Sequence, residues 1–109
     1  MSPEQISGEI PDARSDIYSY GCTLFELTTG RPPFRGNSMN DLLGRHFKEK
    51  PAPPSAYNSD VTDEFSAFVL KLLAKKKTDR PQNFHEVLIA LKKVPQIYKS
   101  VAEKPDEEQ

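Results

Sequence analysis

The sequence predicts an all-α fold built from five short helices. Apolar residues recur at helical spacing in each patterned segment, and no alternating run of strand length is found. Helix-start residues stand ahead of four of these segments. Ten prolines against five glycines cut the chain into short, rigidly separated pieces.

The first helix is short, around Pro3 to Ile6, with Pro3 tolerated in the opening turn because its missing N–H would be unpaired there anyway. The second has Ser15 as its expected N-cap, Asp16 at the positive helix start, and Gly30 ending it after Thr29. Its apolar residues, Ile17, Tyr18, Tyr20, Cys22, Leu24, Phe25 and Leu27, go nearly all the way round the axis. Burial on several faces is therefore expected, and a chain this short can barely surround it. A turn, Gly30-Arg31-Pro32-Pro33-Phe34, leads to a third helix over Met39 to Lys48, capped by Ser38 with Asp41 three residues on. Pro51, Pro53 and Pro54 then impose an extended connection.

The fourth helix starts near Asp60 or Thr62 and is expected to bury Phe65, Phe68, Val69, Leu72 and Leu73. The run Lys75-Lys76-Lys77 follows, where cations complement the helix C-terminus. Asn83 and Glu86 form the capping box of the fifth helix, whose expected buried stripe is Phe84, Val87, Leu88 and Leu91. From Pro95 onward the chain is polar, so residues 1–94 are read as the domain and 95–109 as a flexible tail.

With 109 residues, the chain has room for one small domain, and 15 basic against 16 acidic residues offer no electrostatic case for nucleic acid. No segment reaches the ~20 apolar residues of a membrane helix. The single cysteine, Cys22, excludes an internal disulfide framework and a cysteine-based metal cluster, so a reducing, cytoplasmic setting is expected.

Catalytic chemistry is sparse. His46 and His85 lack the spacing that puts two metal ligands on one helix face, and both read as surface or packing residues. Cys22 reads as a small hydrophobe. The glycines are scattered and form no phosphate-cradling loop. Catalytic, cofactor-binding and metal-binding residues are therefore expected to be none. Three charged residues stand out: Asp16 on an otherwise apolar helix, Glu4 in a proline-started turn, and Arg80 just before Pro81. Each also fits a plainer reading, as helix-dipole support, a first-turn acid and a solvated loop cation.

Four segments nevertheless resemble protein kinases, in order. Met1-Ser2-Pro3-Glu4-Gln5 resembles the Ala-Pro-Glu motif that closes the activation segment, with Ser2 in the alanine position. Ser15-Asp16-Ile17-Tyr18-Ser19-Tyr20-Gly21 is similar to the start of the kinase F helix. Thr29-Gly30-Arg31-Pro32-Pro33-Phe34 is similar to the turn after it, and Asp79-Arg80-Pro81 to the Arg-Pro signature between the last two helices. The flavour is bacterial serine/threonine kinase.

This resemblance implies the helical lower half of the kinase large lobe, part of an α+β parent fold. It implies a buried Glu4–Arg80 ion pair, hydrogen bonds to Asp16 from the catalytic-loop backbone, and close helix packing at Gly21. It also places Leu42, Leu43 and Phe47 where kinases dock protein substrates and regulators. Where related sequences read Lys-Asp-Pro, this chain has Lys75-Lys76-Lys77, which would loosen the turn that aims Arg80. The glycine-rich loop, phosphate-binding lysine, His-Arg-Asp loop and Asp-Phe-Gly site have no counterpart in these 109 residues. ATP and magnesium therefore belong to the complete family domain, and this chain alone is expected not to transfer phosphate. Expected partners are the upstream kinase portion and, through the third helix, protein substrates or regulators. Met1 falls on a methionine common in the motif, as an internal methionine or a truncated gene would explain. The alternatives are a non-catalytic interaction module and a non-functional product.

Overall fold

The computed structural model describes residues 2–99; Met1, and the part of the expected tail from 100 to 109, lie outside the described residues. The helices are α1 (Pro3–Ile6), α2 (Ala13–Thr29), α3 (Met39–Lys48), α4 (Asp63–Leu72) and α5 (Phe84–Lys92). Single 3-10 turns cover Pro54–Ala56, inside the connection expected to be wholly extended, and Lys77–Asp79. Among the described residues there is no strand, only an isolated bridge between Val61 and Tyr98. No helix among the described residues is long and apolar enough to cross a membrane.

Helix α2 is the centre. It begins two residues before Ser15, because Asp12 is the cap: its carboxylate accepts the Arg14 N–H at 2.8 Å and is held by the Arg14 guanidinium at 2.9 Å. A charged cap at a helix start also gains from the dipole. Gly30 ends the helix with φ 76°, a left-handed conformation that costs glycine no Cβ strain.

Ile17, Tyr18 and Phe25 of α2 join Val61, Phe65, Phe68, Val69, Leu72, Leu73 and Val87 in one core. The five α4 residues expected inside are all there. At the crossing of α2 and α4, a Cβ on Gly21 would lie 2.9 Å from the Leu72 Cβ and 3.0 Å from Leu73 Cδ2, so only glycine permits this approach.

The burial expected of α2 on several faces is incomplete. Asp16, Ser19, Thr23 and Glu26 form an open, mostly polar stripe, and Leu27 is 73 % exposed. Tyr20, Cys22 and Leu24 are only partly covered. The α5 stripe also differs. Val87 is buried and Ala90 and Leu91 pack against the core, whereas Phe84 and Leu88 are 43 % and 54 % exposed. This nine-residue helix buries a narrower face than its apolar content suggests.

Backbone contacts continue past Val94, although residues 95–99 are exposed. The Thr62 hydroxyl donates to the Gln96 carbonyl at 2.7 Å, the Thr62 N–H to the Ile97 carbonyl at 2.9 Å, and the Lys99 N–H to the Asp60 carbonyl at 2.6 Å. Residues 96–99 thus run beside the start of α4.

Candidate functional site

The site is assembled from three places in the chain. Ser2 opens α1, with Gln5 Oε1 accepting both its N–H and its hydroxyl at 2.9 Å. These bonds pin a four-residue helix too short to persist alone, in which Glu4 is buried. Ser15, in the first turn of α2, accepts the Asp12 N–H at 3.3 Å and donates its hydroxyl to Glu4 Oε2 at 2.7 Å. Arg80 arrives from the segment between the Lys77–Asp79 turn and α5.

Arg80 and Glu4 meet as a two-pronged pair. Nη1 lies 2.7 Å from Glu4 Oε2 and Nη2 lies 2.9 Å from Oε1. Nη1 also donates to the Arg14 carbonyl at 2.9 Å, Nη2 to Lys75 at 3.1 Å, and Nε to Ala74 at 2.7 Å. A guanidinium carries five N–H donors, and here five acceptors receive them. The side chains are 0 % and 4 % exposed, so this satisfaction is what makes burial of the charges tolerable. Burial pushes the Glu4 carboxyl up, but the hydrogen bonds from Arg80 and Ser15 outweigh it and hold its pKa at about 2.

A second layer links this pair to α3. The Arg80 guanidinium sits 4.9 Å from the Tyr18 ring centre, and the Tyr18 hydroxyl is 3.0 Å from His46 Nδ1. Burial, with neighbouring positive charge adding to it, lowers His46 to about 4, so the ring is neutral at pH 7 and shares a hydrogen bond with the Tyr18 hydroxyl. Lys75 does not cap α4, the helix it follows. Its ammonium donates to the Arg45 and His46 carbonyls at 3.3 and 2.8 Å, closing the end of α3, and lies over the Phe34 ring at 4.3 Å.

The other residues singled out in the sequence lie apart. Asp16 is exposed on the open stripe of α2, and its neighbour Ser15, rather than Asp16, turns into the site. Gly21 stands at the α2–α4 contact. On α3, Leu42 and Leu43 are half-buried and Phe47 is 43 % exposed; no residue of this helix is fully buried. Ser15, Tyr18 and Lys75 are the participants that sequence reasoning missed. Their backbone and hydroxyl bonds leave no spacing signal, although Ser15 and Tyr18 do share one face of α2 at i, i+3.

Among the described residues no three His, Cys, Asp or Glu side chains come together as a metal site. The carboxylate at the centre of the site is already saturated by Arg80 and Ser15, and burial raises the Cys22 thiol to about 11. What the arrangement does chemically is bind α1, α2 and the segment before α5 to one another.

Comparison with known proteins agrees with this architecture. The sequence profile of the protein kinase domain matches residues 1–91. The chain is 51 % identical over 87 residues to the serine/threonine-protein kinase PknB of Mycolicibacterium smegmatis, covering 80 % of this chain and 14 % of that protein. It is 45 % identical over 94 residues to PknB of Mycobacterium tuberculosis, covering 86 % and 15 % respectively. A probable serine/threonine-protein kinase of Corynebacterium efficiens is 42 % identical over 116 aligned residues, covering 98 % and 18 %. This chain therefore spans less than a fifth of the length of these relatives. In fold it superposes on the twitchin kinase region of C. elegans with a TM-score of 0.74 at 22 % identity, over 82 % of this chain and 16 % of that one. The five helices closed by Glu4 and Arg80 are the helical lower part of a kinase large lobe, and the chain belongs to the protein kinase family, serine/threonine type.

Proposed function

We propose that these residues serve a domain that transfers the γ-phosphate of ATP to serine or threonine of a protein, in a cytoplasmic setting. Their part is support and docking. The Glu4–Arg80 pair holds α1 against α2 and so fixes the base of whatever chain leads into Glu4. Asp16, exposed on the open stripe of α2, is placed to accept backbone hydrogen bonds from a covering segment, the catalytic loop of the complete domain. Gly21 lets α4 brace α2 closely enough to present that stripe. Leu42, Leu43 and Phe47 on α3 offer a docking surface for protein substrates or regulators. Alone, the chain transfers no phosphate, since nucleotide, metal ions and catalytic base are supplied by the upstream kinase portion.

The observation that carries this reading is the fully satisfied, water-excluded ion pair between the first turn and residue 80. A pair of this kind fixes geometry more than it adds stability, as an anchor requires. The test is a graft: this chain replaces the corresponding segment of the Mycolicibacterium smegmatis PknB kinase domain. Phosphorylation of a protein substrate by the graft is expected, with loss of at least about tenfold in rate on Asp16→Ala while ATP binding is kept. A folded, ATP-binding graft that transfers no phosphate would remove the reading.

A further inference from the structure

A cleft of about 350 Å³ lies beside the anchor, between α1 and the turn after α4. Ser7 and Glu9 stand on one side, Lys75, Lys76 and Lys77 on the other, and Phe47 of α3 forms part of the wall. Its charges do not cancel. Glu4, at the floor, is matched by Arg80, and the Lys77 ammonium lies 3.3 Å from the Glu9 carboxylate. Among the described residues neither Lys75 nor Lys76 has a carboxylate partner. Lys75 gives two of its three N–H groups to carbonyls of α3, while Lys76 is exposed.

Two uncompensated cations beside an exposed aromatic ring favour a ligand with a compact double negative charge and an adjacent apolar group. A carboxylate would leave one cation unmatched; a phosphomonoester, carrying close to two charges and three acceptor oxygens, matches both. The geometry points to this cleft as a binding site for a phosphorylated serine or threonine side chain of a docked protein segment, its phosphate between Lys75 and Lys76 and its neighbouring residue on Phe47. The inference rests on the docking reading of α3, and it adds the chemical class of the docked segment. The half-buried Lys75 ammonium, lowered by burial to about 8 although the Glu49 carboxylate acts against this, gains a closer counter-charge.

The test titrates the isotope-labelled full chain with a short alanine-based peptide containing phosphothreonine followed by leucine. Its unphosphorylated twin and a twin with glutamate in place of phosphothreonine serve as controls. Saturable amide shifts confined to Ser7, Phe47 and residues 75–78 are expected, with the phosphopeptide at least about tenfold tighter than the glutamate twin. Lys76→Glu should abolish them and leave the thermal midpoint unchanged, since the Lys76 side chain is exposed and forms no hydrogen bond among the described residues. Equal binding of the three peptides, shifts spread equally to Lys92 and Lys93, or retained binding in Lys76→Glu would overturn the site. A protein partner held through α3 irrespective of phosphate would overturn this inference alone. Loss of partner docking with phosphopeptide binding intact would overturn the docking reading instead.

Discussion

The Glu4 carboxylate and the Arg80 guanidinium, 76 positions apart in the chain, meet at 2.7 and 2.9 Å with both side chains almost wholly removed from water. Three backbone carbonyls, from Arg14, Ala74 and Lys75, take the remaining donors. Lysine cannot reproduce this planar fork. Arg80→Lys should therefore destabilise nearly as much as Arg80→Ala, measured as the urea midpoint. Near-wild-type stability of Arg80→Lys would mean that charge alone, and not the fork, holds the junction.

Acid should weaken the fold in two windows. His46 titrates at about 4 in the folded chain against 6.5 unfolded, so the unfolded state binds the extra proton first. Its contribution is complete above pH 6.5 and is lost as pH falls toward 4. Glu4, at about 2 against 4.5, contributes fully above 4.5 and is lost as pH falls toward 2. His46→Gln should flatten the upper part of the stability–pH curve and Glu4→Gln the lower part. Unfolding midpoints measured from pH 7 to 2 check both assignments.

Gly21→Ala pits two effects against each other. Alanine favours a helix by up to about 1 kcal/mol, but its Cβ would press on Leu72 and Leu73, and overpacking costs about 1–3 kcal/mol. Net destabilisation is expected. At Gly44 of α3 nothing lies within 4 Å of an added Cβ, so Gly44→Ala should stabilise by about 0.5–1 kcal/mol. Chemical denaturation of the two variants should move in opposite directions.

A chain ending at Val94 should melt lower than one ending at Lys99. It loses the bonds of Thr62 to Gln96 and Ile97 and that of Asp60 to Lys99, each worth about 0.5–1.5 kcal/mol. For a domain of this size each kcal/mol lowers the midpoint by about 4–8 °C. Identical melting of the two chains would show that these bonds add nothing to the stability of the folded chain.

Local signals made most of the fold legible. Ser38 and Asn83 cap where their side chains suggested, and Phe65, Phe68, Val69, Leu72 and Leu73 are inside because their spacing matches a helix face. Long-range consequences were not legible in the same way. Ser15 read as a cap because serine ahead of an apolar run usually is one, yet Asp12 took that role and released the Ser15 hydroxyl for Glu4. The lysines after Leu73 carried a dipole signal for α4, but Lys75 folds back to the carbonyls of α3, a choice set by tertiary proximity. Periodicity likewise could not say which half of the apolar girth of α2, or of the α5 stripe, would find cover. That depends on how many neighbours each helix has.

The double-mutant cycle of Glu4→Ala and Arg80→Ala, read by equilibrium denaturation at neutral pH, bears most directly on the claim that this pair closes the unit. Each single change should cost about 3–5 kcal/mol, because the surviving charge stays buried without its partner. The double variant should cost less than the sum by more than about 1.5 kcal/mol. Additivity within about 0.5 kcal/mol would show that the two residues act independently and would contradict the account.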